Sequence, residues 1–387
     1  MISRGFDNAE CEARTKRAQE KLASQNLAGL LLMTEPDIRY FTGFHTLFWQ
    51  SPTRPWFLFV PQTGKPIAII PEIGAALMAQ SWIDDIRCWS APTPDDDGLS
   101  LLYDLLSPIE ARGQKIGMLK GHETSLRMPL QDFETLCARL PNLILEDATE
   151  IVRSLRVVKT PAEIEKLRHI CAIGSASFAD VPNFIEKGMP LEEVFRQFRI
   201  TALGHGADDV PYLVGAAGQG GYADVISPPS RRPLQDGDIL MLDTGATWDG
   251  YFCDFDRNFA IGAADDEAKR AYDVLWQATQ AGLEAAKPGN SCADLFHAMA
   301  KITKQIDPTG GDIGRFGHGL GMQLTEQPSH AAFDHRIIEQ GMVLTLEPSL
   351  SYGNGHMMVH EENILITDTG AELLTTRASE SLPIICK

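Results

Sequence analysis

The stretch ILMLDTGATWDGYFCDFDRNFAIG (239–262) reads as a single β-hairpin. Both arms are apolar and β-branched or aromatic. Asp249-Gly250 between them is a dipeptide that favours tight turns. Strand side chains alternate with period two, so folding about that turn puts Asp243, Asp254 and Asp256 on one face. Like charges on one face of an apolar hairpin repel. A buried set of this kind needs a cation or must take up protons. The hairpin is therefore half of a candidate metal site.

The other half lies downstream. GRFGHGLG (314–321) sets His318 among glycines, as in a loop whose backbone approaches something closely. GMVLTLEPSL (341–350) ends an apolar strand at Glu347, and MMVHEENILIT (357–367) begins another at Glu361 and Glu362. Singly, each has an ordinary reading as a strand end, a turn or a loop donor. Together, several carboxylates and one imidazole form a hard, oxygen-rich set suited to Mn, Co, Zn or Fe(II). There are more carboxylates than one ion needs, and two ions sharing bridging carboxylates account for the excess.

DTGATWDGYFCDFDR (243–257), GHGLGMQLTEQP (317–328), GMVLTLEP (341–348) and EENILIT (361–367) resemble, in this order, the metal-site motifs of the pita-bread metallohydrolases. DIRYFTGF (37–44) and the junction LRVVKTPAEIEKLR (155–168) are similar to two-domain members of the prolidase, aminopeptidase P and creatinase branch. The resemblance implies an α/β creatinase-like domain over 1–155. It implies a pita-bread catalytic domain of duplicated helix and antiparallel-sheet halves over 156–387. It also implies two divalent ions. Asp243 holds one, His318 and Glu347 hold the other, and Asp254 and Glu361 bridge them. Glu361 is preferred to Glu362 because the family places its glutamate two residues before a run such as Asn363-Ile364-Leu365. The implied activity is hydrolysis of a C–N bond by activated water, with Glu347 as proton shuttle. The best-matched substrate is an Xaa-Pro dipeptide or the N-terminus of a small peptide.

Two departures bear on the substrate. Peptidases of this family carry a histidine about a dozen residues before the Gly-Asp that opens the metal hairpin; Ile226 stands there, in GYADVISPPSRRPLQDGD (221–238). They carry a second in an HExP motif, where this chain has Thr325-Glu326-Gln327-Pro328. Both histidines assist the scissile carbonyl, and loss of such a donor costs about a hundredfold in rate. Tyr222, His330 and His356 are candidate replacements. Asp256, where the family more often has Thr or Ser, is either an additional ligand or a buried acid. The alternatives are a creatinase-like hydrolase of a small metabolite, a metal-dependent lyase, or an inactive pita-bread binding protein.

Composition fits a cytoplasmic enzyme. The 387 residues include 44% hydrophobic and 22% charged, ordinary globular values. A formal charge of −18 argues against nucleic acid or an anionic membrane as partner. The seven cysteines are scattered without a CxxC, which suits a reducing compartment. There is no apolar leader and no run near the about 18 residues that a membrane helix needs. Cys253 alternates away from Asp254 and reads as core.

Along the chain, 8–25 reads as a charged helix, AGLLLM (28–33) as a strand, 36–44 as a loop, and WFLFV and PIAII as two strands about a glycine turn. Asp95–Asp97 mark a surface loop. Thr160, Pro161 and Glu163 form a capping-box start to a helix. Further helices are expected over LEEVFRQFRITALGHG, the stretch ending at Pro288-Gly289, and SCADLFHAMAKITKQI. The two-domain resemblance implies a homodimer. In that assembly the aromatic loop from Phe44 to Trp49, with His45, either lines the partner's pocket or packs its own domain.

Overall fold

The computed structural model describes residues 2–308 and 314–386. The chain divides into two compact units, Ser3–Arg156 and Val157–Lys387.

The first unit is α/β. Helices α1 (Asn8–Ser24), α2 (Glu35–Thr42), α3 (Ala75–Met78), α4 (Leu99–Ala111), α5 (Leu130–Arg139) and α6 (Thr149–Arg156) accompany one sheet. Its strands are β1 (Leu27–Leu32), β2 (Phe57–Pro61), β3 (Ile67–Pro71), β4 (Asp85–Trp89), β5 (Lys115–Met118) and β6 (Ile144–Asp147), in the order β4-β3-β2-β1-β5-β6. The β1–β2 and β2–β3 pairs are antiparallel and the others parallel, so the sheet is mixed. Leu31, Phe57, Ile69, Leu102, Leu106 and Ile116 are among the buried residues of the core over it.

One expectation fails here. Most of 36–44 is not a loop: Glu35–Thr42 is helical, and Gly43 and Phe44 alone lie outside it. Pro36 sits in the first turn, where its missing N–H costs nothing. Gly43 closes the helix at φ 71°, donating to the Arg39 carbonyl at 2.8 Å. Burial fixes it, since Ile38, Tyr40 and Phe41 are fully enclosed and Asp37 pairs with Arg156 at 2.9 Å. The Phe44–Trp49 aromatics pack within their own unit. Phe44 and Trp49 lie 5.2 and 5.3 Å from Trp56 between ring centroids, and Arg127 covers Trp49 at 4.6 Å.

The second unit has two helix-and-sheet halves. The first comprises α7 (Pro161–Phe184), α8 (Leu191–Gly204), β7 (Asp209–Gln219), β8 (Asp238–Trp248), β9 (Tyr251–Phe252) and β10 (Phe255–Ile261). The second comprises α9 (Asp266–Ala285), α10 (Cys292–Thr303), β11 (His318–Gly319), β12 (Glu326–Ser329), β13 (Val343–Leu346), β14 (Ser349–Tyr352), β15 (His356–Val359), β16 (Glu362–Ile366) and β17 (Ala371–Leu373). A last strand, β18 (Ile384–Ile385), returns to the first sheet, which runs β18-β10-β8-β7 with β9 on β8. The second sheet runs β12-β11-β13-β16-β17, and β14 and β15 pair alone.

The capping box at α7 forms: Thr160 N–H donates to Glu163 Oε2 at 3.0 Å, and Glu163 N–H to Thr160 Oγ1 at 3.4 Å. The β8–β10 hairpin keeps one register throughout, with Trp248 opposite Tyr251, Thr244 opposite Phe255 and Asp243 opposite Asp256. Asp249 and Gly250 both have positive φ, 46° and 67°, the geometry of a two-residue hairpin turn whose twist matches its strands. The turn is tied to α7, where Lys166 Nζ lies 2.6 Å from Asp249 Oδ2 and Tyr251 O–H donates to Glu163 at 3.0 Å. Cys253 is fully buried on the face opposite Asp254, beside Gly174 of α7.

Candidate metal centre

Four of the five candidate ligands sit where a strand begins or ends, and Asp243 sits in mid-strand. Asp243 lies within β8, Asp254 just before β10, His318 at the start of β11, Glu347 directly after β13 and Glu361 directly before β16. Asn363 links the two sheets here. Its side-chain oxygen accepts the Asp254 N–H at 3.0 Å and its amide donates to the Asp254 carbonyl. Gly317 precedes His318 at φ 128°, and a Cβ there would fall 2.3 Å from the Thr345 carbonyl oxygen. Only glycine lets the loop approach β13 this closely.

Asp254, His318 and Glu361 offer one ligand atom each within 4.8 Å of one another, and all three are buried. His318 Nε2 lies 3.5 Å from Asp254 Oδ2 and 3.9 Å from Glu347 Oε2. Its Nδ1 is 2.9 Å from the Gly319 carbonyl. That contact requires a proton on Nδ1 and leaves the Nε2 lone pair facing the carboxylates. Burial, with Arg315 nearby, pushes the imidazole down to about 3, so it is neutral as a metal ligand must be.

The carboxylates carry the opposite strain. Burial and then Glu347 raise Asp243 to about 7, against the opposing Tyr212 hydroxyl. Burial raises Glu347 to about 7, with Arg315 opposing. Asp254 is held well above the usual range by burial and then by Asp243 and Glu347, and Glu361 by burial and then by Asp254 and Glu347. Asp243 Oδ1, Asp256 Oδ1 and Glu361 Oε1 are buried without a hydrogen-bond partner. Bare carboxylate oxygens around a neutral imidazole are the donor set that a hard divalent cation takes, and the residues fit one. Glu347 is the most open of the acids near His318, its side chain 31% exposed.

The remaining candidates scatter. Asp256 is buried opposite Asp243. Tyr222 is buried too, but its hydroxyl donates to Asn258 at 2.9 Å and accepts from Val359 N–H at 3.1 Å, so it is committed to the scaffold. Ile226 is 74% exposed and Thr325 is exposed. His330 is fully buried against Gly317, its ring nitrogens without a well-formed hydrogen bond. His356 is half-buried on β15, packed on Tyr352 and Gly221. Glu362 stands beside the candidate ligands as a buried neighbour. It is fully buried, paired with Arg257 at 2.9 Å and capped by the Ala378 N–H at 2.8 Å.

Sequence reasoning passed over Tyr212 and Arg315. Tyr212 is half-buried on β7 opposite Gly245, with Leu324 and Phe252 beside that glycine. Its phenol faces Asp243 and feels Asp254 and Glu361. The available signal was period two along β7, which places it beside the metal hairpin. Arg315 acts electrostatically on Asp254, His318, His330 and Glu347. Its place three residues before His318 was the only sequence signal.

Known proteins share this architecture. The profile of metallopeptidase family M24 matches residues 165–368, and that of the creatinase/prolidase N-terminal domain matches 14–158. A protein named probable dipeptidase PepE from Mycobacterium bovis is 27% identical over 373 residues, 96% of both chains. An Xaa-Pro dipeptidase from Pyrococcus furiosus is 27% identical over 233 residues, 60% of this chain and 67% of that one. The crystal structure of dipeptidase PepE from Mycobacterium ulcerans superposes with a TM-score of 0.85 at 25% identity, over 99% of this chain and all of the other. With the two profiles following one another and the M24 profile spanning the whole carboxylate–imidazole set, the chain belongs to metallopeptidase family M24 and is a metal-dependent hydrolase.

Proposed function

We propose that the protein is a two-ion hydrolase that cleaves a C–N bond in a small substrate, a dipeptide first of all. The observation that carries this reading is the buried set of Asp254, His318 and Glu361, with Asp243 and Glu347 alongside and carboxylate oxygens left bare. Asp243 would hold one ion, His318 and Glu347 the other, and Asp254 and Glu361 would be shared by both. Mn, Co, Zn or Fe(II) suits these donors. Bound ions supply Lewis acidity and water that ionises near neutrality. Glu347, open on one side, would take up a proton and pass it to the departing nitrogen.

A second reading is a non-peptide substrate, a small polar amide or guanidino compound. Ile226 and Thr325 favour it, because both stand exposed where the resemblance places carbonyl-assisting histidines. Neither supplies an imidazole donor, and Tyr222 is otherwise engaged.

Metal analysis and kinetics test both readings. The purified protein is expected to hold two ions, and Asp254→Ala to release them with at least about a hundredfold loss of kcat/KM. Metal content unchanged in Asp254→Ala rejects the ligand assignment. A panel of Xaa-Pro dipeptides, Xaa-Pro tripeptides and small amide or guanidino compounds, with Mn or Co supplied, separates the substrates. A kcat/KM on Xaa-Pro above about 10⁴ M⁻¹s⁻¹ establishes the dipeptidase reading. A better turnover of the non-peptide compounds establishes the second.

A further inference from the structure

The hairpin register sets Asp256 directly opposite Asp243, so their side chains leave the sheet on one face. Asp256 is 1% exposed. One of its oxygens is fixed from behind: Asn258 Nδ2 donates to Oδ2 at 2.8 Å. Asn258 is itself held, its amide donating to the Val359 carbonyl at 2.7 Å and its oxygen accepting the Tyr222 hydroxyl at 2.9 Å. The other oxygen, Oδ1, is buried with no partner, like Oδ1 of Asp243 across the ladder. The adjacent cation is not available to it. Arg257 is taken up by Glu362 and by the carbonyls of Asp256, Glu361 and Thr376.

A buried carboxylate with one oxygen clamped and one bare needs a proton or a cation. A proton serves two oxygens at most. The bare oxygens here number three, on Asp243, Asp256 and Glu361; capping them singly takes three protons, whereas one cation serves neighbouring carboxylates at once. We propose that Asp256 is a fifth carboxylate of the metal centre, binding the ion that Asp243 holds, with Tyr222 and Asn258 as the relay that positions it. This rests on the two-ion reading above.

Metal titration of the chelator-stripped protein tests it, with Mn²⁺ followed by calorimetry and Co²⁺ by its visible spectrum. The variants are Asp256→Asn and Asp256→Ser, each checked for a native circular dichroism spectrum. The expected result is that one of the two ions binds about tenfold or more weaker in both variants, with a changed Co²⁺ spectrum. Metal-free Asp256→Asn is expected to melt above the metal-free wild type, because the amide needs neither a buried charge nor a proton to neutralise it, and the metal-loaded variant below the loaded wild type. Unchanged affinities and spectrum in both variants overturn the proposal and leave Asp256 as a buried acid. A wild type that takes up one ion overturns the two-ion reading instead. Asp256 as ligand then stands only if its substitution weakens that single ion.

Discussion

Tyr212 and the acids it faces show how single residues set the centre's chemistry. The phenol opposes the rise in the Asp243 pKa, so it favours the ionised carboxylate that a metal needs. Tyr212→Phe is expected to raise the Asp243 pKa further and weaken metal binding by about tenfold, as loss of a ligand's hydrogen-bond partner does. A metal titration at pH 7 checks this. The pH dependence follows from the same groups. The buried imidazoles of His318, His330 and His360, all depressed, add stability as pH rises through the unfolded value near 6.5 and contribute no slope above about pH 7.5. The raised carboxylates still hold protons in the folded state that the unfolded chain has released. Folding then binds protons, so the metal-free protein loses stability as pH rises through about 7. Metal removes that penalty. The rise in melting temperature on adding Mn²⁺ is therefore expected to be larger at pH 8 than at pH 6.5, and thermal scans with and without chelator will show whether it is.

At the scale of elements, the hairpin and helix α7 act as a unit. The pair Lys166–Asp249 is enclosed, with side chains 2% and 9% exposed. Lys166→Met takes the Lys166 cation from buried Asp249 at the tip of the hairpin, an expected cost of about 3 kcal/mol. Asp249→Asn added to it should recover part of that loss, read from denaturant unfolding of the metal-free protein. Much of this level was legible beforehand. The Asp249-Gly250 turn, the Thr160 capping box and the period-two face of the hairpin follow from local rules, and all three form. Residues 36–44 escaped those rules. Pro36 and Gly43 are also what a loop contains, and the helix between them is held by the burial of Ile38, Tyr40 and Phe41, which no local pattern specifies.

At the scale of the whole molecule, assembly is the open expectation. Homodimers are expected by resemblance, and sedimentation at micromolar protein will find a dimer or refute it. The Phe44–Trp49 segment packs on Trp56 and Arg127 of its own unit, which favours a structural role. Trp49→Ala should accordingly lower the melting temperature by several degrees, as about 2–3 kcal/mol of lost packing does, and leave KM unchanged. A changed KM with an unchanged melt would place Trp49 at a binding site instead.

The sequence by itself determined the hairpin and its turn, because spacing along a strand and turn chemistry are local properties, and its motifs nominated the acids and the imidazole by resemblance. Only the tertiary structure decided which of those residues meet. Asp254, His318 and Glu361 are brought within ligand distance by two sheets joined through Asn363, a contact 109 residues apart in the chain. It also gave neighbouring residues different partners. Glu361 keeps a bare oxygen at the centre, while Glu362 is spent on Arg257. Tyr222 is turned into the scaffold, while Tyr212 comes to Asp243 from the next strand. Those assignments depend on which face of each strand is buried and against what, and burial is a property of the packed molecule.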